Sequence, residues 1–183
     1  VKKAGKTTVL RFMVATALMN DVAGMDTLGI RTEPAKGADV VVIDTEGTEE
    51  DSQDFIEGVM RIMDAEEQPA NLHVYNFRPF TQAECREATE ALLQHHASAH
   101  LVIIDGISDL VKSINDDATG NETVRWLMAS AARLGCCIVV VIHENQNPDS
   151  AGRGRGHLGQ ELERKASGAI GIRKDRETQQ HFI

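Results

Sequence analysis

Val1-Lys2-Lys3-Ala4-Gly5-Lys6-Thr7-Thr8 opens the chain, and the reading of these eight residues decides the fold. Gly5-Lys6-Thr7 completes the pattern G-x-x-x-x-G-K-[ST], whose first glycine would stand one place before Val1. Each residue type in the pattern has a physical task. A glycine lets the backbone come close to phosphate oxygens, and successive amide N–H groups leading into a helix form a concave seat for an anion. Ala4, Gly5, Lys6, Thr7 and Thr8 are therefore the candidate nucleotide-binding residues. Lys6 is suited to reach the β- and γ-phosphates of ATP, and the Thr7 hydroxyl to hold Mg2+.

Moving outward, Thr7 to Leu18 reads as the helix that follows such a loop. Val9, Leu10, Phe12, Met13, Val14, Ala17 and Leu18 make it apolar around much of its circumference, as burial against a sheet requires. Ala38 to Asp44 is a short β-branched run without polar alternation, the pattern of a strand covered on both faces in a parallel sheet. Asn71 to Phe77, His100 to Asp105 and Cys136 to His143 read as three more strands.

The intervening stretches read as helices. Thr48 and Asp51 cap one over about Glu49 to Glu66, and the box Thr81-Gln82-Ala83-Glu84 opens another to about His96. Thr119-Gly120-Asn121-Glu122 caps a third that runs to Leu134 and stops at Gly135. Glu144 to Gly159, rich in Gly, Asn and Arg, reads as a mobile loop, and a short helix spans about Gln160 to Ala166. Ser167 to Arg173 and Gln179 to Ile183 read as a terminal β-hairpin.

Alternation of strand and helix predicts an α/β fold: a mostly parallel sheet with right-handed crossovers and helices on both faces. Neither repeats nor linkers interrupt the chain, so residues 1–183 are expected to form a single domain. A phosphate loop joins a strand to a helix. The first strand, which belongs in the middle of the sheet, is thus expected before Val1, in a longer native protein.

Composition bounds the partners. The net charge of −9 argues against a broadly basic nucleic-acid coat while leaving room for a local basic channel. Aromatic residues are 4% of the chain, too few for a stacking surface built from several rings. No apolar run approaches the ~18 residues a membrane helix needs, and no stretch reads as a signal peptide. Cys85, Cys136 and Cys137 read as buried free thiols of a cytoplasmic protein. His95, His96 and His100 make a poor zinc set, because the cysteines lack ligand spacing relative to them.

In an open α/β sheet, ligands bind beyond the carboxyl ends of the strands. Asp44, Glu46, Asp105 and His143 all fall at or just past such ends, on the edge that carries the phosphate loop. Asp105, after Leu101-Val102-Ile103-Ile104, fits an acid that holds Mg2+ through a water. Glu46 extends beyond Asp44-Thr45, where a carboxylate can act as general base toward the attacking water. His143 is placed to sense the γ-phosphate, with Glu144, Asn145 and Gln146 as alternative polar sensors.

Together these residues resemble the RecA-like ATPases, and within them the hexameric replicative helicases of the RepA type and related ATPases of bacterial mobile elements. The resemblance rests on Ala4-Gly5-Lys6-Thr7-Thr8, Val42-Ile43-Asp44-Thr45-Glu46, Leu101-Val102-Ile103-Ile104-Asp105-Gly106, Val140-Val141-Ile142-His143 and Gly156-His157-Leu158-Gly159-Gln160-Glu161-Leu162. It implies an ATP hydrolase acting on DNA, as a helicase or a recombination or mobilisation ATPase. Catalytic roles would then fall to Glu46, Lys6 and His143, with Thr7 and Asp105 as the Mg2+ residues. It further implies a homo-oligomeric ring, perhaps a hexamer, in which a neighbour supplies an arginine finger; Arg173 is the best positional match, with Lys174 and Arg176 as substitutes.

Family members bind single-stranded DNA through the loops after the third and fourth strands. Here that implicates Lys112, Arg153 and Arg155, although Asp109, Asp116 and Asp117 make the first loop unusually acidic. The alternative is a RecA-like regulatory ATPase with a protein partner and no dependence on DNA. A small-molecule kinase would need an arginine-rich lid, and the region before the sensor holds only Arg125 and Arg133. Guanine specificity lacks its Asn-Lys-x-Asp, and Val1 replaces the lysine that deviant partition ATPases carry four residues before Gly5.

Overall fold

The structure, a computed structural model, describes residues 5–145, 153–174 and 181–182, the last pair and 173–174 by backbone alone. Four strands, β1 (Val40–Asp44), β2 (Leu72–Asn76), β3 (Leu101–Asp105) and β4 (Cys137–Val141), form one sheet in the order β2-β1-β3-β4. Every pairing is parallel, with Asp44 in register with both Asn76 and Asp105. The expected α/β architecture is therefore present, and the carboxyl ends of the strands share one edge.

Helices cover both faces because consecutive strand residues point in opposite directions and nearly all of them are apolar. Val40, Val42, Leu72, Leu101 and Ile103 pack with α1 (Lys6–Leu18) and α2 (Glu49–Met63). Val41, Ile43, Val102 and Ile104 pack with α3 (Gln82–His95), α4 (Asp117–Leu134) and Leu158 of α5 (Gly156–Lys165). Arg11 ties the first layer together: its guanidinium donates to the Asp54 carboxylate at 2.6 Å, and its shaft crosses Gly58, where a side chain would collide with it.

Helix starts follow local chemistry. Thr48 with Asp51 and Thr81 with Glu84 form reciprocal capping boxes, as the sequence predicts. The start of α4 differs from the expected Thr119 box. Asp116 is the cap, and its carboxylate accepts from the Thr119 amide at 2.7 Å, so the helix begins a turn earlier. The helix α2 is shorter than expected, ending at Asp64 in a left-handed conformation.

Two further expectations are corrected. The described residues of the Glu144 to Gly159 stretch are structured: Glu144 bridges Gly154, and α5 begins at Gly156 rather than near Gln160. Leu158 is fully buried and its amide donates to the Ile114 carbonyl at 3.0 Å, which fixes the helix start. Gly154 and Gly159 touch backbone to backbone, so the glycines that suggest mobility serve close packing. The thiols also differ: Cys85 is buried, Cys136 is half-buried and Cys137 is exposed. The reason is topological, since β4 is paired on one side only among the described residues.

The C-terminal hairpin is a short antiparallel ribbon, β5 (Arg173–Lys174) with β6 (His181–Phe182), outside the main sheet. At the amino ends of the strands, Asp39 accepts from His96 Nδ1 at 2.8 Å and from His73 Nε2 at 3.1 Å. Hydrogen bonding from His96 outweighs partial burial there and holds the Asp39 carboxyl below its usual value.

Candidate nucleotide site

Gly5 caps α1 with φ 87°, a left-handed conformation that a glycine adopts without steric cost. Its carbonyl accepts from the Val9 amide at 3.1 Å, so the helix starts within the phosphate-loop pattern. Lys6 is half-buried, and Thr7 and Thr8 stand exposed in the first helical turn with their amides free of intrahelical partners. Ala4 lies outside the described residues.

The ends of β1 and β3 face this turn. Asp44 folds back on its own loop, its Oδ1 accepting from the amides of Glu46 at 3.0 Å and Gly47 at 2.8 Å. That turn swings Glu46 outward. Thr45 points the other way: its buried hydroxyl donates to Asp109 Oδ2 at 2.7 Å and lies 3.1 and 3.2 Å from the carbonyls of Asp105 and Gly106. Gly106, at φ 99°, leaves that hydroxyl its room, because a Cβ there would run into it. Thr45 thus locks the end of β1 to the end of β3 and to the 3-10 turn Ile107–Leu110. Nothing in the sequence reading singled this residue out; a Thr between two strand-end acids is the available signal.

Asp105 is half-buried, and its carboxyl is pushed up to about 6. Burial is the main cause, the negative charges of Asp44 and Glu46 add to it, and the Lys6 ammonium opposes it. The structure therefore gathers Lys6, Asp44, Glu46 and Asp105 into one electrostatic unit. Three carboxylates in the field of one lysine, with Thr7 next to that lysine in the chain, make a hard, oxygen-rich donor set that fits Mg2+.

His143, two residues past β4, brings its Nε2 to 3.2 Å from Glu46 Oε1. Two residues read separately from the sequence are thus joined. The backbone continues the link: the Arg155 amide donates to the His143 carbonyl at 3.0 Å, and the Asn145 amide to the Arg153 carbonyl at 2.9 Å. Arg153 and Arg155 are exposed beside this site, and Lys112 is exposed after the 3-10 turn. Arg173 opens the small ribbon, with its side chain outside the described residues, as is Gln146 among the alternative sensors.

A family model described as an AAA domain matches residues 2–149. The chain belongs to this AAA domain family. Comparison with curated proteins gave no match. The AAA family places the chain among P-loop ATPases, whose members in general use ATP and Mg2+, and the parallel sheet with its glycine-capped α1 agrees with a RecA-like core. Among the described residues no helix is long and apolar enough to cross a membrane.

Proposed function

We propose that the chain hydrolyses ATP by the RecA-like route, with Glu46 as general base, and that this hydrolysis serves work on single-stranded DNA. The 3.2 Å contact between Glu46 and His143 carries the reading, because it sets a carboxylate beside a second polar group at the open edge of the phosphate site. Ala4, Gly5 and Thr8 seat the phosphates with Lys6, whose ammonium balances their charge. Thr7 and Asp105 are the residues that would hold Mg2+, which when bound neutralises charge on the phosphate oxygens. Glu46 takes a proton from water as the water oxygen bonds to the γ-phosphorus and the bond to the bridging oxygen of ADP breaks. His143, hydrogen-bonded to Glu46, orients that carboxylate and reports whether the γ-phosphate is present.

The DNA reading draws support from where the acids of the Gly106 to Asn121 loop are spent. Asp109 accepts from Thr45 and Asp116 caps α4, so two of the three carboxylates serve the fold and leave Lys112 exposed beside them. Arg153 and Arg155 add exposed cations suited to phosphate contacts without base readout. In a homo-oligomeric ring we assign Arg173 to the active site of a neighbouring subunit, where a guanidinium stabilises transition-state charge.

The test is ATP turnover by wild type and by Glu46→Gln, each with and without single-stranded DNA at two salt concentrations. The expected result is turnover stimulated by DNA, with the stimulation fading as salt rises. Glu46→Gln should bind nucleotide normally and lose on the order of 10²–10⁴-fold in rate. Equal turnover by Glu46→Gln would sink the base assignment. Robust turnover indifferent to DNA would move the reading to a regulatory ATPase with a protein partner.

A further inference from the structure

The amino-terminal edge of the sheet carries a second polar cluster, far from the phosphate loop. Asp39 stands immediately before β1, His73 lies on β2 and His96 caps the end of α3. Parallel pairing sets Val41 opposite His73, and the two-residue period turns Asp39, His73 and Tyr75 to the sheet face that α3 covers. Three separate elements thus bring one carboxylate and two imidazoles together, with one donor atom from each lying within 4.8 Å of the others.

We propose that Asp39, His73 and His96 form a binding site for a divalent metal of the zinc class, which staples β1, β2 and α3 at the end of the sheet opposite the nucleotide. A tetrahedral zinc ion with bonds of about 2.0–2.1 Å needs its donors roughly 3.3 Å apart. Each imidazole already lies at about that range from the Asp39 carboxylate, His96 Nδ1 at 2.8 Å from Oδ2 and His73 Nε2 at 3.1 Å from Oδ1. Bringing both nitrogens and one carboxylate oxygen to a single ion asks for a small rotation of the His73 side chain, which is 30% exposed. His96 is 4% exposed and supplies the fixed donor.

The donor chemistry selects the ion. Two nitrogens and one oxygen without a thiolate suit Zn2+ or Co2+, whereas Mg2+ and Ca2+ prefer all-oxygen sets. The partial exposure of Asp39 and His73 gives an entry path and a fourth position for water. Tyr75 supplies the outer support. Its hydroxyl lies 2.8 Å from His96 Nε2, and a histidine that binds metal through one nitrogen donates from the other to such a partner. No proton need leave the protein: in each neutral ring the proton moves to the nitrogen away from the metal. The His95 ring, edge-on to His96 at 4.8 Å, backs the same side chain.

By strand rise, about 16 Å separates Asp39 from Asp44, so the two sites are tested apart. The metal-free full chain is titrated with ZnCl2 by calorimetry and with CoCl2 by visible absorption, followed by thermal melting. The expected result is one Zn2+ per chain, a four-coordinate Co2+ spectrum and a raised melting temperature. Asp39→Asn and His73→Ala should each weaken binding by more than the roughly tenfold loss expected for Tyr75→Phe. Lys6→Ala should bind Zn2+ as wild type does. The proposal fails if wild type takes up no Zn2+ at micromolar concentration, or if Asp39→Asn binds it undiminished. Should His73→Ala not fold, Asp39→Asn and Tyr75→Phe carry the decision.

Discussion

The two ends of the parallel sheet hold aspartates in opposite electrostatic states. At the carboxyl end, Asp105 is crowded by burial and by two other carboxylates, and its pKa rises to about 6. At the amino end, Asp39 is flanked by two imidazoles and its pKa falls. Two neighbouring apolar strands produce both, with Asp39 just before β1 and Asp105 at the end of β3. The difference teaches that the carboxyl end gathers negative charge that its own residues do not balance, whereas the amino end satisfies itself with protein hydrogen bonds. A cation relieves the first and at the second takes the place of hydrogen bonds that Asp39 already has.

The largest way to break the comparison is Gly106→Ala. It forces a non-glycine residue to φ 99° and drives a Cβ into the Thr45 hydroxyl. Strain and overpacking together should cost about 2–5 kcal/mol, read as a lowered midpoint in urea unfolding. A midpoint within error of wild type would show that Thr45 is not the lock between β1 and β3.

Asp105→Asn sharpens it. The native pKa lies above the unfolded value of 3.8, so between about 4 and 6 the folded state binds the extra proton. Nucleotide-free wild type should therefore lose stability as pH rises through 6. The variant should be more stable at pH 7 by about 1–3 kcal/mol, flat across that window, and inactive with Mg2+ and ATP. Melting curves at pH 4.5 and 7.5 decide it.

Asp39→Asn should show the reverse sign. A depressed native pKa contributes stability that is present above 3.8 and lost as pH falls through the native value. The variant should be less stable at pH 7 by about 1–2 kcal/mol, with the deficit vanishing in acid. The smallest effect lies between the two ends, where the Arg86 guanidinium sits 3.6 Å from the Trp126 ring centre and ties α3 to α4. Arg86→Ala should cost roughly 1 kcal/mol in the same melting assay.

Much of the carboxyl end was legible because its parts are local. Gly5-Lys6-Thr7 announces a helix start, and the apolar runs ending at Asp44 and Asp105 announce strand ends on one edge. The capping boxes at Thr48 and Thr81 are three-residue signals and read directly. The amino-end cluster was not legible. His73 and His96 stand 34 and 57 residues from Asp39, and only strand register and the length of α3 bring them together. His95, His96 and His100 suggest a set because they are neighbours in sequence. In the fold His96 turns to Asp39, while His100 Nε2 lies 2.7 Å from the Glu33 carbonyl. Glycines misled for a related reason: Gly154 and Gly159 signal flexibility in a string of letters and contact in three dimensions.

The bond between the Arg155 amide and the His143 carbonyl has a mechanical consequence. His143 touches Glu46 with its ring and holds the arginine segment with its backbone. The same residue is therefore both fingertip and hinge pin. A shift of the His143 backbone on loss of a γ-phosphate would be passed to the Arg153 to Arg155 segment through that one peptide hydrogen bond. A tug of that kind turns a chemical event at the sheet edge into a displacement of surface cations.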